Sequence, residues 1–260
     1  MKAILSGLLI GLANLVPGIS GGTIAVVLGI YEELIKAIVA TLKIKPTREQ
    51  LRLLIYVGIG LVTAIFAGSK LIDISLKRAS GITYAIFFGL ILGTIPLLFR
   101  QLGKIKVLHL LIGIALFLFI EFSGISLDLS KAFISIAGFL AAFAMVMPGL
   151  SGSLVMLIFG VYEDVVKAVS EIEFSILIPF GVGVVFGMVV CAIFMKYLYE
   201  RFPTQTKNMV FGLVLASLIK VQPFDKQSFT WHGYIVVVLL TITAAFVSYR
   251  LTKFSRNSTN

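Results

Sequence analysis

The chain has 260 residues, 59% hydrophobic and 13% charged, with a mean hydropathy of +1.07. A soluble domain carries about 25% charged residues, so this composition excludes a water-soluble globule and indicates a polytopic α-helical membrane protein. The formal charge of +10 is no nucleic-acid footprint. The basic residues sit in short segments between apolar runs, where they set topology and favour anionic lipid headgroups.

The first run, Ala3 to Tyr31, has no charge over 29 residues, and about 20 suffice to cross a bilayer. Lys2 ahead of it imitates a signal peptide. The run is too long for one, so it is expected to stay in the mature protein. Its centre, Val16-Pro17-Gly18-Ile19-Ser20-Gly21-Gly22-Thr23, is built to break a helix. Pro17 lacks an N–H and obstructs the preceding turn, and the glycines free the backbone. At membrane depth such a break is tolerated only inside protein or beside a wet cavity. A helix, a turn exposing N–H groups and a second helix starting near Ser20 are therefore predicted.

Basic residues Lys43, Lys45, Arg48 and Arg52 follow, then the apolar run Leu53–Leu71. A loop is expected around Lys70, Asp73, Lys77 and Arg78. A third segment covers Thr83–Phe99, with Pro96 breaking its end, and Val107–Ile120 follows Arg100, Lys104 and Lys106. Glu121 and Asp128 mark the midpoint. The order then repeats. The uncharged run Ala132–Tyr162 contains Met147-Pro148-Gly149-Leu150-Ser151-Gly152-Ser153. An acidic loop (Glu163, Asp164, Glu171, Glu173), a segment Ile176–Met195 that holds the lone cysteine Cys191, a basic loop (Lys196, Arg201, Lys207) and segments Asn208–Ile219 and Gly233–Tyr249 complete it. The polar end, Ser255–Asn260, is expected as a disordered tail.

The duplication is measurable. At an offset of 131, Val16–Ile38 matches Met147–Val169 at 9 of 23 positions, including Glu32/Glu163 and Lys36/Lys167. At an offset of 123, Phe88-Gly89-Leu90 matches Phe211-Gly212-Leu213, and Gly58, Gly60 and Arg78 match Gly181, Gly183 and Arg201. Polar-flanked breaks at corresponding places in two halves point to a transporter site at a repeat interface. Leaving Lys36, within the broken element, uncounted, fourteen Lys/Arg fall inside and seven outside if each broken element dips into the membrane and returns; if each spans, eleven and ten. The positive-inside rule favours the former. The expected fold is one all-α membrane domain, 1–260, of two inverted-topology repeats, 1–128 and 129–254. Each is a re-entrant broken-helix hairpin plus about three transmembrane helices.

Helix N-termini attract anions. Pro17, Gly18, Ser20, Gly21, Gly22 and Thr23 with Pro148, Gly149, Ser151, Gly152 and Ser153 are thus candidates for holding an anionic headgroup. The repeat-matched cations Arg78, Arg201, Lys36 and Lys167 join them. Gly18-x-Ser20-x-Gly22 also fits a nucleophile elbow, so an intramembrane serine hydrolase using His109 or His232 is an alternative. So is a transporter of a small soluble anion. No P-loop, dinucleotide fingerprint or metal-ligand cluster occurs. No cofactor or metal is expected, and an ion or substrate gradient must supply any energy.

Asn14-Leu15-Val16-Pro17-Gly18-Ile19-Ser20-Gly21-Gly22-Thr23 with Gly29-Ile30-Tyr31-Glu32, Phe88-Gly89-Leu90-Ile91-Leu92-Gly93-Thr94-Ile95-Pro96, and Pro148–Ser153 resemble the signatures of the prokaryotic polyprenyl-phosphate transporter family. Many relatives carry Asp where this chain has Asn14. The resemblance implies a multi-pass protein of the prokaryotic plasma (inner) membrane. Its substrate would be undecaprenyl phosphate, returned from the outer to the cytoplasmic leaflet without enzymatic chemistry. Glu32 and Glu163 are candidates for coupling to H+ or Na+.

Overall fold

The computed structural model describes residues 2–16, 18–122 and 133–257. Pro17, singled out in the first break, and the repeat boundary at 128 and 129 lie outside the described residues. The described residues form eleven helices: α1 (Lys2–Asn14), α2 (Gly21–Val27), α3 (Tyr31–Leu42), α4 (Arg48–Gln101), α5 (Val107–Phe122), α6 (Ile134–Val146), α7 (Gly152–Ile158), α8 (Tyr162–Glu171), α9 (Phe174–Arg201), α10 (Pro203–Val221) and α11 (Trp231–Asn257). Four stretches are long and apolar enough to cross a membrane: Arg48–Gly68, Ile74–Gln101, Phe174–Arg201 and Trp231–Arg250. Phe66, Phe119, Phe186 and Phe246 project outward from α4, α5, α9 and α11. Water would penalise such outward aromatics, and lipid does not. The protein is a multi-pass membrane protein.

Several expected loops are helical. The charged stretch 70–78 belongs to α4, which starts at a capping box: Thr47 accepts the Gln50 N–H and the Gln50 side chain accepts the Thr47 N–H. The helix runs through Pro96 to Gln101, and its one non-helical residue is Ala79, with φ −152° and ψ 52°. Phe202, at φ −132° and ψ 55°, makes the same turn between α9 and α10. The two are 123 apart, so the duplication extends to backbone dihedrals. Glu163, Asp164 and Glu171 lie on α8, and α11 continues to Asn257, into the expected tail.

Small residues decide the packing, because lipid gives helices no hydrophobic reason to associate and close backbone approach must do so. Gly60 of α4 lies on the Ile4 carbonyl and Leu8 N–H of α1; Gly183 of α9 lies on the Ser135 carbonyl and Phe139 N–H of α6. Ile4 and Leu8 are each 131 residues from Ser135 and Phe139, so both halves repeat the contact atom for atom. Gly58 and Gly181 both face open space. The last helices are exchanged. Gly89 and Gly93 of α4 pack on Thr241 and Ala245 of α11, while Gly212 of α10 packs on Leu110 of α5. Each half therefore completes the other. Buried Asn208 of α10 fixes the 102–106 loop, donating to the Lys104 carbonyl and accepting the Lys106 N–H.

Candidate headgroup site at the paired breaks

Both breaks have one geometry. Gly18 and Gly149 sit at φ +82° and +89°, a region where a Cβ is strained. Ser20 and Ser151 precede their short helices in extended conformation, at φ −101° and −103°. Neither serine caps its own helix.

The two breaks are bonded to each other. The Ser20 hydroxyl lies 3.2 Å from the Met145 carbonyl and 3.3 Å from that of Met147, and donates to them. The Gly149 N–H donates to the Thr23 hydroxyl at 2.7 Å. Gly22 allows this approach: a Cβ there would sit 2.5 Å from the Val146 carbonyl. Ser151 and Ser153 share a 2.8 Å hydroxyl bond. Ser20, Thr23, Ser151, Gly152, Pro148 and Gly149 are all buried. In this arrangement the Ser20 hydroxyl and the Gly149 N–H are both taken up by the opposite break. Ser20 and Thr23 are engaged across the interface because each buried polar group needs a partner, and the opposite break supplies it.

Sequence reasoning missed two participants. Asn14, the last residue of α1, accepts the Gly21 N–H at 2.8 Å and caps α2 in place of Ser20. Its repeat partner is Met145, which offers only a backbone carbonyl, so the second break lacks this cap. Lys220 of α10 lays its methylenes on Gly18, and its ammonium pairs with the nearly enclosed carboxylate of Glu121 on α5. Without a repeat partner, Lys220 carried no signal.

The predicted cations stand apart from the breaks. Arg78 and Arg201 are exposed at the residues preceding the Ala79 and Phe202 turns, and Lys36 and Lys167 are exposed on α3 and α8, beside exposed Glu163. Glu32 and Lys36 instead line a cavity of about 270 Å³ with Tyr31, Glu33, Tyr199 and Lys207. The Tyr31 ring packs on Tyr199 at 6.1 Å between centroids. Its hydroxyl is buried without a hydrogen-bond partner among the described residues. Burial first, and the Tyr199 phenol second, push the Tyr31 pKa well above its ordinary value, so it remains an O–H donor.

A serine hydrolase needs a base at the nucleophile. The Ser20 hydroxyl donates to carbonyls and the Ser151 hydroxyl meets Ser153; neither bonds a histidine among the described residues.

A family model described as undecaprenyl phosphate translocase-like matches residues 10–234. A polyprenyl-phosphate transporter of Vibrio cholerae serotype O1 is 33% identical over 251 residues, covering 89% of this chain and 80% of the relative. A polyprenyl-phosphate transporter of Staphylococcus aureus is 31% identical over 275 residues, covering 96% of both. No solved structure matches. Both relatives are named as transporters.

Proposed function

The chain belongs to the undecaprenyl phosphate translocase-like family, and from that premise we propose that it carries undecaprenyl phosphate from the outer to the cytoplasmic leaflet of a prokaryotic inner membrane. The observation that carries the reading is the meeting of two duplicated breaks, joined by Ser20, Thr23 and Gly149. These bonds are exchangeable. When the breaks part, the Ser20 O–H and Gly149 N–H become donors for a phosphate monoester, which bears roughly −1.5 to −2 charges. Each bond given up is worth about 0.5–1.5 kcal/mol net, and each gained to a charged group about 1.5–3, so loading favours the parted state. The isoprenoid tail stays in lipid while the headgroup, costly to bring into hydrocarbon, crosses between the breaks.

Inverted re-entrant repeats suit this role, since related halves can rock about a fixed site. Two findings support that topology. The fourteen-to-seven distribution of basic residues favours it. Gly152 of α7 also lies against Ala141 and Met145 of α6, so the second helix runs back beside the first. Glu32, beside the cavity, is the carboxylate we assign to coupling with H+ or Na+, and Glu163 is its repeat counterpart. Arg78 and Arg201 gather the headgroup, one at each face.

The test is leaflet exchange in proteoliposomes of the full chain, reading labelled undecaprenyl phosphate by its access to an impermeant phosphatase and labelled undecaprenol by its extraction into external cyclodextrin. The protein should accelerate exchange of the phosphate and not of undecaprenol. Equal rates for both lipids, or for vesicles without protein, would overturn the proposal. Depletion in cells should strand undecaprenyl phosphate on the outer face. Cysteines replacing Lys45 and Lys104 should be shielded from an external impermeant reagent, and cysteines replacing Glu171 and Asp225 should be labelled.

A further inference from the structure

The cavity beside α3 is lined by none of the break residues, and its walls carry unusual chemistry. Tyr31, a residue only 5% exposed, is part of its lining, and its buried hydroxyl finds no acceptor among the described residues. Its ring is held by Tyr199. A buried donor without a partner costs stability, so its retention asks for an acceptor from outside. Two lysines line the same cavity from opposite halves of the duplication, Lys36 on α3 and Lys207 on α10. Neither forms a salt bridge among the described residues.

An O–H donor and two cations call for an oxygen-rich anion. A divalent metal ion would suit Glu32 and Glu33 but would face both lysines and a phenol that keeps its proton. A phosphate monoester offers acceptor oxygens to all three donors. The cavity of about 270 Å³ far exceeds the roughly 10–15 Å³ of cavity space that one water needs, which admits a phosphate group with part of its hydration. Leu98, Leu102 and Phe211 give it an apolar wall. The carboxylates of Glu32 and Glu33 offset the lysines, which lets such a site release its ligand.

The second half lacks this set. It keeps Tyr162, Glu163 and Lys167, but Leu76 stands where Tyr199 would repeat and Tyr84 where Lys207 would. The chemistry is therefore confined to one end of a duplicated fold.

We propose that this cavity is a phosphate-monoester site, with the Tyr31 hydroxyl, Lys36 and Lys207 as its binding groups, at which the lipid headgroup is released after passing the breaks. This rests on the transport reading above. As a binding site, it stands on its own geometry.

The test is equilibrium binding to the full chain in nanodiscs, with radiolabelled geranyl phosphate as one probe and inorganic phosphate as the other. Tyr31→Phe, which keeps the ring and removes only the donor, should weaken geranyl phosphate binding about tenfold, and Lys207→Gln by at least as much. Lys43→Gln, exposed at the end of α3, should change nothing, and the melting temperature of Tyr31→Phe should not fall. Much weaker binding of inorganic phosphate marks the ligand as a lipid headgroup; equal binding of both probes marks it as free phosphate and overturns the release role. Geranyl phosphate binding indifferent to Tyr31→Phe and Lys207→Gln overturns the site, even where the wild type moves polyprenyl phosphate in vesicles. A site that binds geranyl phosphate as expected in a protein that moves no lipid leaves the cavity standing and removes the transport reading.

Discussion

Gly22→Ala tests whether the meeting of the breaks is the working part. The new Cβ would lie 2.5 Å from the Val146 carbonyl and 3.2 Å from that of Met145. A relaxed carbon–oxygen contact needs about 3.3 Å or more, so the breaks must separate by about 0.8 Å. That displacement takes the 3.2 Å and 3.3 Å bonds from Ser20 to about 4 Å, outside hydrogen-bond range. Overpacking costs about 1–3 kcal/mol, and alanine returns at most about 1 through helix propensity. The clash wins because the obstructing atom is backbone at the end of α6, which cannot rotate aside. A net loss of one to two kcal/mol in the closed state, at about 1.4 kcal/mol per decade, shifts the equilibrium roughly tenfold toward the parted state; the return to the closed arrangement that completes each cycle is then disfavoured, and the exchange rate of undecaprenyl phosphate should fall about tenfold at equal protein abundance. Gly21→Ala should be milder, because the atoms it meets belong to the Asn14 side chain. Ser20→Ala should also be milder, removing one hydroxyl worth about 0.5–1.5 kcal/mol. A wild-type exchange rate for Gly22→Ala would refute the reasoning, and abolished exchange in Ser20→Ala beside normal Gly22→Ala would invert it.

Gly60→Ala and Gly183→Ala should each lower the thermal midpoint in detergent, since each meets a carbonyl of a neighbouring helix, whereas Gly58→Ala and Gly181→Ala, facing open space, should not; equal midpoints for all four would dismiss glycine-mediated packing. Lys220→Met should destabilise more than the double variant Lys220→Met with Glu121→Gln, because the single change leaves the enclosed Glu121 carboxylate unpaired; additive losses in a double-mutant cycle would show that the pair does not couple. Arg78→Ala and Arg201→Ala should slow transport without loss of folded protein, and lysine should restore only part of it, lacking the bidentate fork; normal exchange in both alanine variants would leave them as membrane anchors.

The sequence by itself determined the membrane class, the two breaks and the duplication, because these are local properties. A Pro-Gly pair interrupts a helix, and charge-free length marks a span, wherever the rest of the chain lies. The matched turns at Ala79 and Phe202 were latent in the 123-residue offset, but the charged stretch before Ala79 read as a loop. Charge in a long helix extending past the hydrocarbon looks the same as charge in a loop. Only the tertiary structure decided that Ser20 bonds to carbonyls 125 and 127 residues away, that α5 and α11 are exchanged between halves, and that Lys207 joins Glu32 and Lys36 around one cavity. The physical reason lies in the solvent. In lipid, the faces that pack and the faces that meet the acyl chains are both apolar, so periodicity does not separate them. Contacts are chosen by backbone approach at glycines and by the partners of a few buried polar atoms, and those exist only once the helices are in place.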